Sequence, residues 1–168
     1  MQFTKAFEQA ACIIILLATQ ESGEPLSTDE ISRRLEVSPS YLKKITRKLV
    51  VKKIITSVSG NKGGISLARK TEDISVLDII DAVDGPISIY PDTELINFVF
   101  KGGKYVDKGS DIIRNVFRNA DELLNQYFSN IKVSDLLKEG FGKTEIPTLD
   151  WNKTSLTDFL QQDRGEQD

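Results

Sequence analysis

The densest chemistry in this sequence is cationic. Lys43, Lys44, Arg47 and Lys48 stand close together, beside Ser40 and Tyr41. At about 100° per residue on a helix, Leu42, Ile45 and Leu49 fall within about 60° of one another. Ser40, Lys44 and Arg47 then point the other way, with Tyr41, Lys43 and Lys48 on the flanks. Such a face offers charged nitrogens to phosphates, and hydroxyls and amines to base edges, which is what reading a major groove requires. The surroundings agree: Val37 to Thr71 holds nine Lys or Arg and no Asp or Glu. The rest of the chain carries 13 Lys or Arg against 25 Asp or Glu, so the overall charge of −3 conceals a local cationic footprint.

Catalytic chemistry has little to work with. The chain has no histidine and one cysteine, Cys12. That removes His-based acid–base catalysis, Ser-His-Asp and Cys-His nucleophiles, and His- or Cys-rich metal sites. Asp78, Asp81 and Asp84 read as a solvated helix face, and no glycine-rich phosphate loop stands outside Ser59–Gly64. The expectation is a protein that is not an enzyme, with no cofactor and no metal site. Cys12 sits in the apolar first segment and reads as a small core residue, or, if accessible, as a redox-sensitive thiol.

Positioning that face needs a scaffold, and 168 residues with 39% apolar and 28% charged content suffice for one domain, or for a small domain plus an oligomerisation element. The longest apolar run, Ala10 to Ala18, is well short of the roughly 20 residues a membrane helix needs. No cleavage site follows it. With a single cysteine excluding an internal disulfide, a cytoplasmic protein without a membrane partner is expected.

Local signals place the elements. Thr4 to Ala18 reads as a helix with two apolar stripes, Ala6/Ala10/Ile13/Ile14/Leu17 and Phe7/Ala11/Ile15/Ala18, so it should be covered from two sides. Ser27 with Glu30 makes a capping box, and Leu26 with Ile31 the hydrophobic staple around it, opening a helix that ends near Leu35. Ser38 caps the next helix, Pro39 takes its first position, and Val37 with Leu42 repeats the staple. Only Glu36 and Val37 lie between, which is helix-turn-helix spacing. Ile54–Val58 and Ile65–Ala68 are β-rich and joined by Ser59-Gly60-Asn61-Lys62-Gly63-Gly64. That reads as an ordinary hairpin in isolation, and as a wing after a helix-turn-helix. A further cap and staple, Ile74, Ser75, Asp78 and Ile79, starts a helix burying Val76, Ile79, Ile80 and Val83 and stopping at Gly85-Pro86.

Beyond residue 85 the signals thin. Residues 86–109 are apolar and read as a hairpin or a short helix, with a pocket as a further option. Ser110 to about Ile131 is the longest helix, with Ile113, Phe117, Ala120, Leu124, Tyr127 and Ile131 at heptad spacing. A second seam, Ile112, Val116 and Leu123, lies beside it. One seam can pack on the first helix and the other needs a partner, so a homodimer through the first-named six is expected. A short helix, Ser134 to Glu139, follows. In the acidic tail from Thr144, Trp151, Leu156, Phe159 and Leu160 are able to dock on a surface, and the last eight residues read as disordered. The organisation is then 1–85 winged helix-turn-helix, 86–109 connecting or sensor segment, 110–143 dimerisation helix with its short successor, and 144–168 acidic tail.

These pieces, in this order, resemble the winged-helix regulators of the Rrf-two (BadM/IscR/NsrR/CymR) family over residues 1 to 139. The resemblance rests on MQFTKAFEQA at the start, SPSYLKKITRKL (Ser38–Leu49), SGNKGGISLAR (Ser59–Arg69), SVLDIIDAVDG (Ser75–Gly85) and IKVSDLL (Ile131–Leu137). It implies a mainly α fold with a small β-hairpin wing and a long dimerisation helix. It also implies a bacterial, dimeric regulator, taken first as a repressor, on a two-fold operator in double-stranded DNA. The recognition helix would enter the major groove and the wing the minor groove, so Ser38, Ser40, Tyr41, Lys43, Lys44, Arg47, Lys48, Ser59, Asn61 and Lys62 are the expected DNA-binding residues. Three departures stand out. Ser59 replaces the arginine common before the first wing glycine, and Lys53 replaces a usual glycine. The three cysteines with which iron–sulfur members hold a cluster are missing from 86–109, and Glu8 alone cannot replace them. A cluster-free regulator answering to a small molecule or partner protein is therefore expected. An interaction module that keeps the fold without specific DNA binding is the alternative.

Overall fold

The computed structural model describes residues 2–21, 24–60 and 63–155. Helix α1 (Lys5–Ala18) starts after Thr4, and its buried side is Ala10, Ile13, Ile14 and Leu17. Helices α2 (Thr28–Leu35) and α3 (Pro39–Val51) are joined by Glu36 and Val37. Glu36 takes the left-handed conformation at φ 52°, and the Val37 N–H closes the end of α2 on the Ser32 carbonyl at 3.0 Å. The turn is therefore held by backbone hydrogen bonds, and Ser38 at once caps α3. Both staples form, with Leu26, Ile31 and Leu42 buried and Val37 half-buried. The capping box at Ser27 is only half made. Its hydroxyl accepts from the Glu30 N–H at 3.2 Å, but the Glu30 carboxylate turns to Arg33 and Arg34 instead of back to the cap.

Strands β1 (Ile55–Val58) and β2 (Gly64–Leu67) pair antiparallel, Ile55 with Leu67 and Val58 with Gly64. Leu26 adds one residue of a third strand, exchanging both backbone hydrogen bonds with Ile65 at 3.0 and 2.9 Å. A side chain at Gly64 would run into the Leu26 carbonyl, so this position needs glycine for that close approach. The hairpin thus lies across the start of the helix-turn-helix.

Helix α4 (Val76–Val83) carries the complete capping box, Ser75 with Asp78, and buries the four residues its spacing selects. Burial works against the Asp78 carboxylate. The Ser75 N–H and hydroxyl and the Arg69 guanidinium outweigh it and hold the carboxyl below its ordinary value. Asp84 accepts hydrogen bonds from the Thr4 backbone N–H, at 3.0 Å, and from its hydroxyl. Two of the three acids expected as a solvated face are thus structural caps.

A short helix, α5 (Leu95–Val99), lies within residues 86–109, deciding between helix and hairpin there. Helix α6 (Val106–Asn130) begins four residues earlier than the spacing suggested and runs about 37 Å. Helix α7 (Val133–Phe141) follows, and the Asp135 carboxylate accepts from the Lys132 N–H that precedes it. Mainly α with one β-hairpin is the observed class.

The acidic tail is part of this core as far as it is described. Leu149 pairs with Thr19 and Glu21 through two backbone hydrogen bonds of 3.0 and 2.9 Å. Trp151 is buried, its indole N–H donating to the Thr19 hydroxyl at 2.9 Å. Arg34 stacks over the indole at 4.6 Å and donates to the carbonyls of Trp151 and Thr154. Asn152 bridges the Pro25 carbonyl and the Ser27 N–H. Residues 147–155 are a strap across α1 and the start of the helix-turn-helix. Leu156, Phe159, Leu160 and the last eight residues lie outside the described residues.

Candidate nucleic-acid interface

Helix α3 presents its apolar side, Leu42, Ile45 and Leu49, to the core, together with Thr46. Opposite, Ser40, Lys43, Lys44 and Arg47 are exposed. None of the three cations has a hydrogen-bond or ion-pair partner among the described residues. The Ser38 hydroxyl accepts from the Tyr41 N–H at 3.3 Å and lies 3.1 Å from the Ser40 hydroxyl, so it is engaged as a cap. Lys43 borders a depression of about 350 Å³ between α3 and the hairpin, with Thr28, Thr46, Val50 and Ser57. The start of α2, one flank of α3 and the hairpin therefore border one depression.

Two expected contacts are redirected. Lys48 sends its ammonium to the Val83 carbonyl at 2.6 Å, capping the end of α4, where the helix dipole favours a cation. Tyr41 donates its hydroxyl to Gln9 Oε1 at 3.1 Å, tying α3 to α1. Both residues position α3. Arg69, counted in the cationic stretch, is likewise engaged: it donates to the Asp73 carbonyl at 3.2 Å and pairs with Asp78 at 3.5 Å. Gln9 and Val83 are the residues that sequence reasoning missed. They are 32 and 35 positions from their partners, beyond any local signal.

At the wing, Ser59 is exposed and Gly60 takes φ 114°, a conformation that suits glycine. Asn61 and Lys62 lie outside the described residues. Lys53, where a glycine is usual in the resembling family, keeps the left-handed conformation at φ 54°.

Helix α6 divides its apolar residues. Leu124, Phe128 and Ile131 pack with Val76 and Ile80 of α4, and Phe117 stacks on Tyr90 at 5.0 Å. Ile131 lies just past the helix, its carbonyl accepting from the Val76 N–H at 2.9 Å. Ile112, Ile113, Val116, Leu123 and Tyr127 remain exposed, Leu123 by 68%. Ala120 is half-buried between the two sets. The open stripe therefore matches the second seam, with Ile113 and Tyr127 from the first. Leu95, Phe98, Phe100 and Tyr105 are exposed beside its start.

Cys12 is exposed, a correction to its reading as a core residue. It lies off the buried side of α1, facing a groove toward α2 and α7. Partial burial there, and then the Glu8 carboxylate one turn earlier, raise its thiol above the ordinary range.

Comparison with known proteins agrees with this architecture. The model of the Rrf2 family, described as iron-dependent transcriptional regulator, matches residues 3–139. YwgB of Bacillus subtilis, named for an HTH-type transcriptional regulator, is 39% identical over 102 residues, 61% of this chain and 65% of that protein. YffB of Lactococcus lactis, named likewise, is 29% identical over 140 residues, 83% of this chain and 88% of that protein. Among solved structures, CymR, the global cysteine regulator of B. subtilis, superposes with a TM-score of 0.60 at 20% identity, covering 81% of this chain and 95% of its own. The donor set does not fit an iron–sulfur centre. One cysteine and no histidine are present in the whole sequence, and Cys12 is on α1, away from residues 86–109. The strap at 147–155 lies past the end of the family match.

Proposed function

Because the chain belongs to the Rrf2 family of transcriptional regulators, we propose that it is a homodimeric, sequence-specific DNA-binding repressor working without an iron–sulfur cluster. The observation that carries this reading is the free cationic face of α3. Lys43, Lys44 and Arg47 are exposed and unpaired among the described residues, on a helix whose other side is locked into the core. Each surface ammonium or guanidinium without an internal partner is available to a phosphate, and with Ser40 between them the face has groups for base edges too. The wing, with Ser59 on its approach and Asn61 and Lys62 at its tip, adds minor-groove or phosphate contacts.

The second element is the stripe Ile112, Val116, Leu123 and Tyr127 on α6. Four large side chains in one line on a 25-residue helix form an apolar face suited to its counterpart on a second protomer. Because α6 packs on α4, and Lys48 of α3 is bonded to the end of α4, the spacing of two recognition helices follows from the dimer through one rigid path. A two-fold operator is the target such an arrangement reads. The effector is a small molecule or partner protein acting near residues 86–109, where Ile96, Phe100, Tyr105, Val106 and Ile113 line an apolar depression of about 600 Å³.

The test is a gel-shift titration of metal-free protein on the DNA upstream of its own gene, at two salt concentrations with unrelated competitor DNA. Specific binding that weakens steeply with salt supports the proposal. Equal affinity for operator and competitor at both salts supports instead an interaction module that has kept the fold.

A further inference from the structure

The start of α2 is capped from outside the helix. In a complete capping box the Ser27 N–H would donate to the carboxylate of Glu30, three residues on. Glu30 is engaged by Arg33 and Arg34 instead, each at 2.6 Å. The Ser27 N–H donates to Asn152 Oδ1 at 3.0 Å, across 125 positions of sequence. The same carboxamide donates its Nδ2 to the Pro25 carbonyl at 3.1 Å. Backbone groups alternate in direction along an extended segment. Leu26 turns its N–H and carbonyl to Ile65 of β2, while the Pro25 carbonyl and the Ser27 N–H go to Asn152. One carboxamide thus serves the second edge of residues 25–27 as a paired strand would.

Asn152 is held ready for this. Its own N–H donates to Asp150 Oδ1 at 3.1 Å, and Gln20, just past α1, donates to the same oxygen at 3.3 Å. The Lys153 and Thr154 N–H groups close a turn on the Asp150 carbonyl at 3.0 and 2.9 Å. At the other end of α2, Arg34 donates to the carbonyls of Trp151 and Thr154 at 3.2 and 2.6 Å. Helix α2 itself buries only Ile31 and Ser32, so this polar grip at both ends bears on where it sits. Residues 25–27 are a joint: β2 hangs on Leu26, α2 leaves from Ser27, and α3 follows α2 after two residues.

We infer that Asn152 is a positioning residue for DNA binding, fixing the joint from which the wing and the helix-turn-helix diverge. This role rests on the DNA-binding reading above, in which α3 and the wing must meet one duplex together. Asn152 is exposed, so water competes for its bonds and its loss costs the fold little. What it supplies is one direction of the wing relative to α3. Asn152 lies outside residues 3–139, so the family match does not assign it.

The test uses the full chain, an operator duplex that the wild type selects from random DNA, and amide hydrogen exchange of the free proteins. Asn152→Ala should bind that operator about fivefold more weakly, the weight of roughly one hydrogen bond, with its urea midpoint close to the wild type. Its Leu26 and Ile65 amides should exchange about fivefold faster or more, as the joint opens locally. Asn152→Asp keeps the acceptor for Ser27 and loses the donor to Pro25, so it should fall between. Val133→Ala removes buried methyl groups at the start of α7; it should lower the urea midpoint further and still bind as the wild type does. In hydroxyl-radical footprints, Asn152→Ala should lose the protection given by the wing and keep that given by α3. Weakening by Val133→Ala equal to that by Asn152→Ala would reduce Asn152 to a stabilising contact and overturn the inference. A wild type that selects an operator, with Asn152→Ala binding it equally well, would defeat this role alone. A wild type that selects none would defeat the DNA-binding reading and this role with it.

Discussion

Removing Lys44 and Arg47 together, and Lys48 separately, separates the cations proposed to contact DNA from the one that holds α3 against α4. In a dimer, Lys44→Ala with Arg47→Ala withdraws four cations from the DNA. If each neutralises one phosphate, the slope of log affinity against log salt should flatten by about 3.6, at about 0.9 per phosphate. Lys48→Ala withdraws two cations that are hydrogen-bonded to Val83 carbonyls at 2.6 Å. Its slope should stay within error of the wild type. Its cost should appear as stability instead, about 0.3–1 kcal/mol for a cation at a helix C-terminus. The assay is fluorescence anisotropy on a labelled operator duplex over a series of potassium chloride concentrations, with urea denaturation of the same proteins alongside. A Lys48→Ala slope that falls by about 1.8, half the effect of the double variant, would show that the amine leaves Val83 for a phosphate. The assigned positioning role would then be wrong.

Other perturbations address the remaining parts. Trp151→Ala should destabilise the protein by about 3–5 kcal/mol, as for a large aromatic removed from a core, measured by urea unfolding followed by circular dichroism. A cost near zero would mean that the strap is not structural. Asp150 supplies a pH dependence. Its bond with Lys153, helped by Gln20 and the Asn152 N–H against the opposing effect of burial, holds the carboxyl at about 2, below the ordinary 3.8. A depressed folded pKa stabilises above the unfolded value and is lost as pH falls toward the folded one. Strap order, read by Trp151 emission, should therefore fall between about pH 4 and pH 2, and Asp150→Asn should remove that dependence. Val116→Glu with Leu123→Glu should convert dimer to monomer in sedimentation velocity while leaving helix content unchanged; an unaltered dimer would place the interface elsewhere. Protein purified without oxygen should show no visible absorbance from an iron–sulfur centre, and such absorbance would contradict the reading of its donor set.

The legible parts of this fold were those whose cause is local. Ser38-Pro39, Ser75 with Asp78, and the staple residues each act within four or five positions, and the helices start where those caps stand. The outward face of α3 followed from helical geometry alone. What the sequence hid was long-range and polar. Nothing near Lys48 points to Val83, and nothing near Trp151 points to Thr19, 132 positions away. Spacing also found two seams on α6 without saying which the molecule uses internally, because Leu124 and Ile131 are as apolar as Leu123. Cys12 was misplaced for a related reason: an apolar neighbourhood in sequence did not distinguish the core side of α1 from the side facing the groove.

The most direct test of a cluster-free dimer reading a two-fold site starts from random DNA, so that the protein itself selects its operator. Metal-free protein is used to enrich duplexes from a random pool, and the enriched DNA is footprinted with hydroxyl radicals. Expected is one enriched sequence with two inverted half-sites whose centres are about 10 base pairs, or a multiple, apart, protected symmetrically and lost with Lys44→Ala/Arg47→Ala. Enrichment of no sequence over the starting pool, or protection without two-fold symmetry, would contradict the account.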